Sequence, residues 1–174
     1  MNVFIIGFMG SGKSTLGKKI AARLKFDFLD LDSEIERLEK KTIAQLFSEK
    51  GEIYFRETET NWLKNFNNQS TVIATGGGTP CTGNNFELMK EKGVTVYLES
   101  SAENLTNRLY QSKNVRPLID SIKDDKNQLL NFVRAKLNER EKFYGKCDIT
   151  FDSIDVDAGK LDKLVSQILK SHSE

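Results

Sequence analysis

The segment Gly7-Phe8-Met9-Gly10-Ser11-Gly12-Lys13-Ser14 follows the apolar run Asn2-Val3-Phe4-Ile5-Ile6 and leads into a lysine-bearing stretch with helical spacing. Glycine costs backbone entropy wherever it is fixed, so a cluster at positions 7, 10, 12 and 17 needs a reason. Strand, then G-x-x-x-x-G-K-[ST], then helix is the order of a phosphate-binding loop, where backbone N–H groups and a helix N-terminus converge on phosphate oxygens. On that reading Gly10, Ser11, Gly12, Lys13, Ser14 and Thr15 bind a nucleoside triphosphate. Lys13 reaches the β- and γ-phosphates, and Ser14 offers its hydroxyl to Mg²⁺. The alternative is a glycine-rich turn that only ends a strand. The motif by itself goes no further than nucleotide binding.

Short apolar or β-branched runs recur at NVFII, FDFLDLD, STVIAT, VTVYLE and CDITFD, separated by segments with helical periodicity. This alternation predicts an α/β domain. The first, third and fourth runs are almost continuously hydrophobic, as in parallel strands covered by helices on both faces. The expected architecture is a three-layer α/β/α fold with a five-stranded parallel sheet, in one domain spanning residues 1–174. Helices are expected over 13–24, 33–39, 43–49, 52–66, 84–91, 102–110, 126–144 and 158–170. Pro80 falls just past a strand and Pro117 lies in the polar stretch QSKNVRPLIDSIKDD. That stretch, charged and adding little to the core, is expected to be a mobile lid over about 111–125.

Twenty-six Lys and Arg against 25 Asp and Glu leave a formal net charge of +1. Such a chain has no large field for a nucleic-acid backbone or an anionic membrane, so the expected partners are small molecules. No apolar run approaches the ~18 residues of a membrane span. Cys81 and Cys147 lack C-x-x-C spacing, and strand-like residues begin at Asn2 where a signal segment would stand. A cytoplasmic monomer with free thiols is expected. The one histidine, His172, lies in the polar tail, which leaves no positioned imidazole for a Ser-His-Asp triad or a histidine-bearing zinc site.

In open α/β sheets ligands gather outside the carboxyl ends of the strands. The second run ends Asp30-Leu31-Asp32, and continued strand geometry would point both carboxylates to one face. The third run ends at Thr75, where many phosphate-binding-loop proteins carry a Mg²⁺-associated Asp. Asp30 is therefore the candidate to hold Mg²⁺ through water, and Asp32 to accept a proton or hydrogen bond from an acceptor hydroxyl. The competing reading makes Asp32 the cap of a helix beginning at Ser33. Gly76, Gly77 and Gly78 then either let a bulky ligand approach bare backbone, offer amide donors, or form a flexible loop.

Together these features resemble the shikimate kinases. The phosphate-binding loop, D-x-D at 30–32, GEIYFRETE at 51–59, GGGT at 76–79, VRPL at 115–118 and NEREKFY at 138–144 occur in that family's order over nearly the whole chain. The resemblance implies transfer of the ATP γ-phosphoryl group to the 3-hydroxyl of shikimate, in the aromatic amino-acid route through chorismate, with Mg²⁺. It implies Asp32 on the acceptor hydroxyls, Arg56 and Arg140 on the carboxylate, the 76–78 amides beside the ring, and an acceptor-binding region over about 32–60. Arg116 would be the lid arginine. Members often carry an arginine seven or eight residues before it, and here Leu109 and Arg108 occupy those positions, which makes Arg108 the implied adenine contact. Phe47 and Phe55 fit near the acceptor, or equally in the core.

Taken singly, Arg56 also fits a helix ion pair with Glu59 or Glu52, and Arg140 a solvated face with Glu141 and Lys136. The competing functions are another small kinase, acting on gluconate or a nucleoside monophosphate, and an ATP-binding module without turnover. The G-E-x-x-F-R segment and the triple glycine speak against the first. Retention of Lys13, Ser14, Asp32 and Arg116 speaks against the second.

Overall fold

The computed structural model describes residues 1–112 and 116–171. His172 and residues 113–115 of the expected lid, including Val115 of the VRPL motif, lie outside these. Five strands, β1 (Asn2–Ile6), β2 (Asp27–Asp30), β3 (Thr71–Ala74), β4 (Gly93–Glu99) and β5 (Ile149–Asp152), form one all-parallel sheet in the order β2-β3-β1-β4-β5. Among the described residues the helices are α1 (Lys13–Leu24), α2 (Leu31–Glu39), α3 (Ile43–Asn65), α4 (Asn85–Lys92), α5 (Ala102–Gln111), α6 (Lys126–Tyr144) and α7 (Ala158–Ser171).

Alternation along β1 sorts the core into two layers. Val3 and Ile5 face α1 and α7, where they meet Leu16, Ile20, Leu161, Leu164 and Ile168. Phe4 and Ile6 face the other way, onto Leu31, Ile35, Leu46, Phe55, Leu63 and Tyr144. Each fully buried aliphatic or aromatic side chain stabilises by about 1.5–3 kcal/mol. None of the described helices is long and apolar enough to cross a membrane.

Three expectations change in detail. The second strand stops at Asp30, and the chain turns directly into α2, because the Asp30 carboxylate caps that helix by accepting from the Ser33 amide at 3.4 Å. Asp32 therefore sits in the first turn of α2 and is not its cap. The helices expected over 43–49 and 52–66 run on as α3, bent at Gly51, whose backbone (φ 81°, ψ 170°) is not helical. The stretch expected to contribute little to the core is anchored: Ile119, 1% exposed, packs with Phe8, Leu105, Leu109, Leu129 and Val133. The Lys123 ammonium also donates to the Ser112 carbonyl oxygen.

A short 3-10 turn (Thr79–Cys81) follows β3. The order β2-β3-β1-β4-β5 places β1 between two strands reached by crossovers in opposite directions, so a crevice opens at its carboxyl end. Segments that follow β1, β2, β3 and β5 line the cavities there.

Candidate active site

At the end of β1, Gly10 (φ 82°) and Gly12 (φ 93°) adopt backbone conformations that L side chains rarely take, and Gly12 caps α1. Gly17 serves packing instead. A methyl group there would meet the Phe28 ring at 2.6 Å, so this glycine lets α1 pack onto β2. Lys13 Nζ donates to the carbonyl oxygens of Gly7 and Phe8, both at 2.9 Å. Burial lowers its pKa to about 8, with Asp32 opposing and Arg116 reinforcing. Ser14 Oγ donates to Asp30 Oδ2 at 2.5 Å, so the cap of α2 is also the partner of the loop serine. Thr15 is exposed beside them.

Arg108, on α5, places Nη1 3.4 Å from the carbonyl oxygens of both Gly10 and Ser11. It shares a cavity of about 320 Å³ with Ser11, Gly12 and Thr15 and with Ser153, Asp155 and Val156 from the loop after β5. Those last three were missed in sequence. Their signal was positional, since SIDV follows the fifth strand at its carboxyl end.

A second cavity, about 640 Å³, is lined by Asp32, Arg56, Gly76, Gly77, Gly78, Arg116 and Arg140, with Met9, Ile43, Phe47, Phe55, Pro117 and Leu118 as its apolar surface. Every residue that the sequence nominated for acceptor binding is thus brought together. Phe47 and Phe55 tilt against each other at 5.1 Å between ring centroids, so they belong both to the core and to this wall.

The charges here are crowded. Arg56 donates through Nη1 to Glu59 at 2.7 Å and through Nη2 to Glu52 at 2.9 Å, so the helix ion pairs and the cavity position coexist in one side chain. Burial works against the Arg56 charge, and the Glu59 and Glu52 carboxylates more than restore it. Glu59, fully buried, was visible in sequence only as an ion-pair partner. It also accepts from the Thr79 hydroxyl, and burial raises its pKa while Arg56 resists.

Arg140 projects from α6, 8% exposed, over the Phe8 ring at 5.1 Å. Its Nη1 is buried and has no hydrogen-bond partner among the described residues, and the same holds for Arg116 Nε. An unpaired buried guanidinium donor is costly unless an anion completes it. Asp32 is reached by solvent through the cavity. The surrounding protein and then the Asp30 charge raise its pKa, with Lys13 and Arg56 pulling the other way.

The triple glycine is explained by this crowding. A methyl group on Gly76 would meet Glu59 Oε1 at 2.7 Å and Asp32 Oδ1 at 3.1 Å. On Gly77 it would meet Arg140 Nη1 at 3.0 Å, and on Gly78 Arg56 Nη2 at 2.8 Å. Two acids and two arginines crowd the loop, and a side chain at any of the three positions would have to displace one of them. The close approach is that of the protein's own side chains. The reading as a loose connector does not fit this crowding.

A phosphate-binding loop at the head of a five-stranded parallel sheet, opening into a compact cavity that sets a carboxylate among arginines, two of which keep a buried N–H without a partner among the described residues, defines a small-molecule kinase of the phosphate-binding-loop class. The sequence profile described as shikimate kinase matches residues 9–172. A shikimate kinase of Bacteroides fragilis is 39% identical over 173 residues, 98% of this chain and 95% of that one. Among solved structures, a Bacteroides thetaiotaomicron shikimate kinase has a TM-score of 0.86 at 35% identity, covering 100% of this chain and 99% of that chain. An Acinetobacter baumannii shikimate kinase in complex with shikimate has a TM-score of 0.80 at 34% identity, covering 99% and 92%. This chain belongs to the shikimate kinase family, and is an ATP-dependent phosphotransferase.

Proposed function

We propose that the two cavities are the donor and acceptor halves of one site, in which the chain transfers the γ-phosphoryl group of ATP to the 3-hydroxyl of shikimate. The observation that carries the assignment is Arg140, a buried guanidinium with an unpartnered Nη1, in the same cavity as Asp32 and beside Lys13. A small hydroxy-acid supplies what these groups lack: a carboxylate for the planar forks of Arg140 and Arg56, and a hydroxyl for Asp32.

The backbone of 10–15 cradles the phosphates, and Lys13 leaves the Gly7 and Phe8 carbonyls to meet the β- and γ-oxygens. Asp32 orients the acceptor hydroxyl and takes its proton as the oxygen–phosphorus bond forms and the bond to the ADP oxygen breaks. Arg116 lies at the cavity rim on the segment after α5, where its charge stabilises the transferring phosphoryl group. Arg108, with Ser153 and Asp155, lines the adenine end.

Mg²⁺ fits this site, because Ser14 Oγ and the Asp30 carboxylate stand together as hard oxygen donors beside Lys13. When bound, Mg²⁺ neutralises charge on the β- and γ-oxygens.

A coupled ADP-release assay across shikimate, gluconate, AMP and CMP tests the assignment. Turnover is expected with shikimate alone. Preferred turnover of gluconate or a nucleotide would overturn the acceptor, and no turnover with any of them would reduce the chain to an ATP-binding module.

A further inference from the structure

The NEREKFY motif contributes more to the crevice than Arg140. Tyr144, the last residue of α6, lies one helical turn after Arg140 and is fully buried. Its hydroxyl donates to the Gly77 carbonyl oxygen at 2.6 Å, across 67 positions of sequence. Its ring is held independently, tilted against Tyr97 with 4.9 Å between centroids. Burial raises the Tyr144 pKa far above the ordinary phenol value, so the hydroxyl remains a hydrogen-bond donor across the working pH range.

Gly77 is the middle of the triple glycine and a junction between the two halves of the site. Its Cα hydrogen points into a gap bounded by Arg140 Nη1, the Gly7 carbonyl oxygen and the Met9 amide nitrogen, which a methyl group would meet at 3.0, 3.2 and 3.4 Å. Gly77 therefore lies between the acceptor cation and the start of the phosphate-binding loop. A glycine peptide in such a place is conformationally free unless something fixes it. The Tyr144 hydroxyl grips that peptide, and its oxygen also lies beside the Arg140 side chain.

We propose that Tyr144 is a positioning residue for phosphoryl transfer. By fixing the Gly77 peptide it sets the distance between the acceptor bound at Arg140 and the phosphoryl donor at the loop. It touches neither substrate. This rests on the assignment of shikimate as acceptor. Small misplacements of reacting atoms are expensive, so one hydrogen bond at the junction has leverage on rate.

Tyr144→Phe keeps the ring against Tyr97 and deletes only the hydroxyl. We expect kcat/KM for shikimate to fall about 10-fold, the size expected when a buried carbonyl loses its partner, with KM for ATP changed by less than about twofold. Tyr97→Phe, which alters the stacked partner and leaves Gly77 gripped, is expected to keep native kinetics. In an Arg140→Ala background the Tyr144→Phe effect should shrink to less than about twofold, because both act on the same acceptor contact. Native kinetics in Tyr144→Phe with only a lowered melting temperature would overturn the proposal, leaving the hydroxyl a purely structural bond. So would an equal rise in KM for ATP and for shikimate, or an equal effect from Tyr97→Phe. If the unsubstituted enzyme fails to phosphorylate shikimate, the acceptor assignment itself falls and this role with it, an outcome told apart by the native enzyme's own assay.

Discussion

At the proposed nucleotide end of the crevice, Gly12, Ser14, Thr15 and Arg108 are exposed, and the phosphate-binding loop is one continuous stretch. At the acceptor end Glu59 and Arg140 are buried, Arg56 is largely so, and the groups arrive from α2, α3, the loop after β3 and α6. The first end is local and open to water. The second is assembled from distant segments and holds charges where water screens them poorly. Substitutions at the acceptor end should therefore be costly even when small, whereas the nucleotide end should tolerate changes outside its backbone and Lys13.

The largest effect is expected where the two ends meet. Asp32→Asn keeps the shape and removes the base, and kcat should fall by roughly 10² to 10⁴. If steady-state kinetics show an unchanged kcat, Asp32 only orients the hydroxyl and the carboxylate is dispensable.

Next comes the carboxylate clamp. Arg140→Ala or Arg56→Ala should cost roughly 2 to 5 kcal/mol in transition-state binding, about 30-fold to several thousand-fold in kcat/KM for shikimate, with KM for ATP little altered. Arg56→Ala also strands Glu59, so it should lower the melting temperature more than Arg140→Ala does. An amide analogue of shikimate should be nearly indifferent to either substitution. Equal losses toward ATP would erase the division into two ends.

Gly78→Ala is a smaller test of crowding. The added methyl would press on an Arg56 guanidinium already clamped by Glu52 and Glu59, at a cost of about 1 to 3 kcal/mol. Calorimetric melting and KM for shikimate should both move. Unchanged values would mean that the arginine yields freely.

The pH dependence sharpens the contrast further. In the free enzyme Lys13 titrates at about 8, so kcat/KM for ATP should fall as pH rises through that value. Bound phosphates favour the charged lysine, so kcat should hold to higher pH. On the acid side, kcat/KM for shikimate should fall as Asp32 takes up its proton, at a pH above the ordinary Asp value. Stability runs the other way: the folded chain binds this proton more tightly than the unfolded chain. The contribution is full below the unfolded pKa and is lost as pH rises through the raised folded value. Identical limbs in the kcat and kcat/KM profiles would refute the Lys13 part.

Arg108→Ala should show the least, a rise of about two- to threefold in KM for ATP, because its contacts are long and water-exposed. A hundredfold rise would make the nucleotide end as dependent on buried charge as the acceptor end.

The difference between the ends also governs what could be read from the chain. β1, α1 and α6 fall at the expected boundaries because a continuous apolar run, a motif and a helical period are local signals. The Asp30-Leu31-Asp32 segment misled, since a capping carboxylate ended the strand two residues early. Ile119 was hidden in a polar stretch: one buried side chain anchors a segment without changing its average character. Gly17 looked like part of the phosphate loop, and only the Phe28 ring beneath it reveals a packing role.

From the sequence alone came the α/β class, the phosphate-binding loop and the candidate acceptor residues that line one cavity, because each is written in short-range order or in motifs that keep their spacing. Tertiary structure decided which of two roles a charged residue performs. Arg56 is both ion-paired and part of the cavity, Arg140 is buried with Nη1 unpaired among the described residues where a solvated face also fitted the sequence, and the three glycines are crowded by two acids and two arginines. Burial and nearest neighbours fix these outcomes, and both depend on which distant segments the sheet brings to one edge.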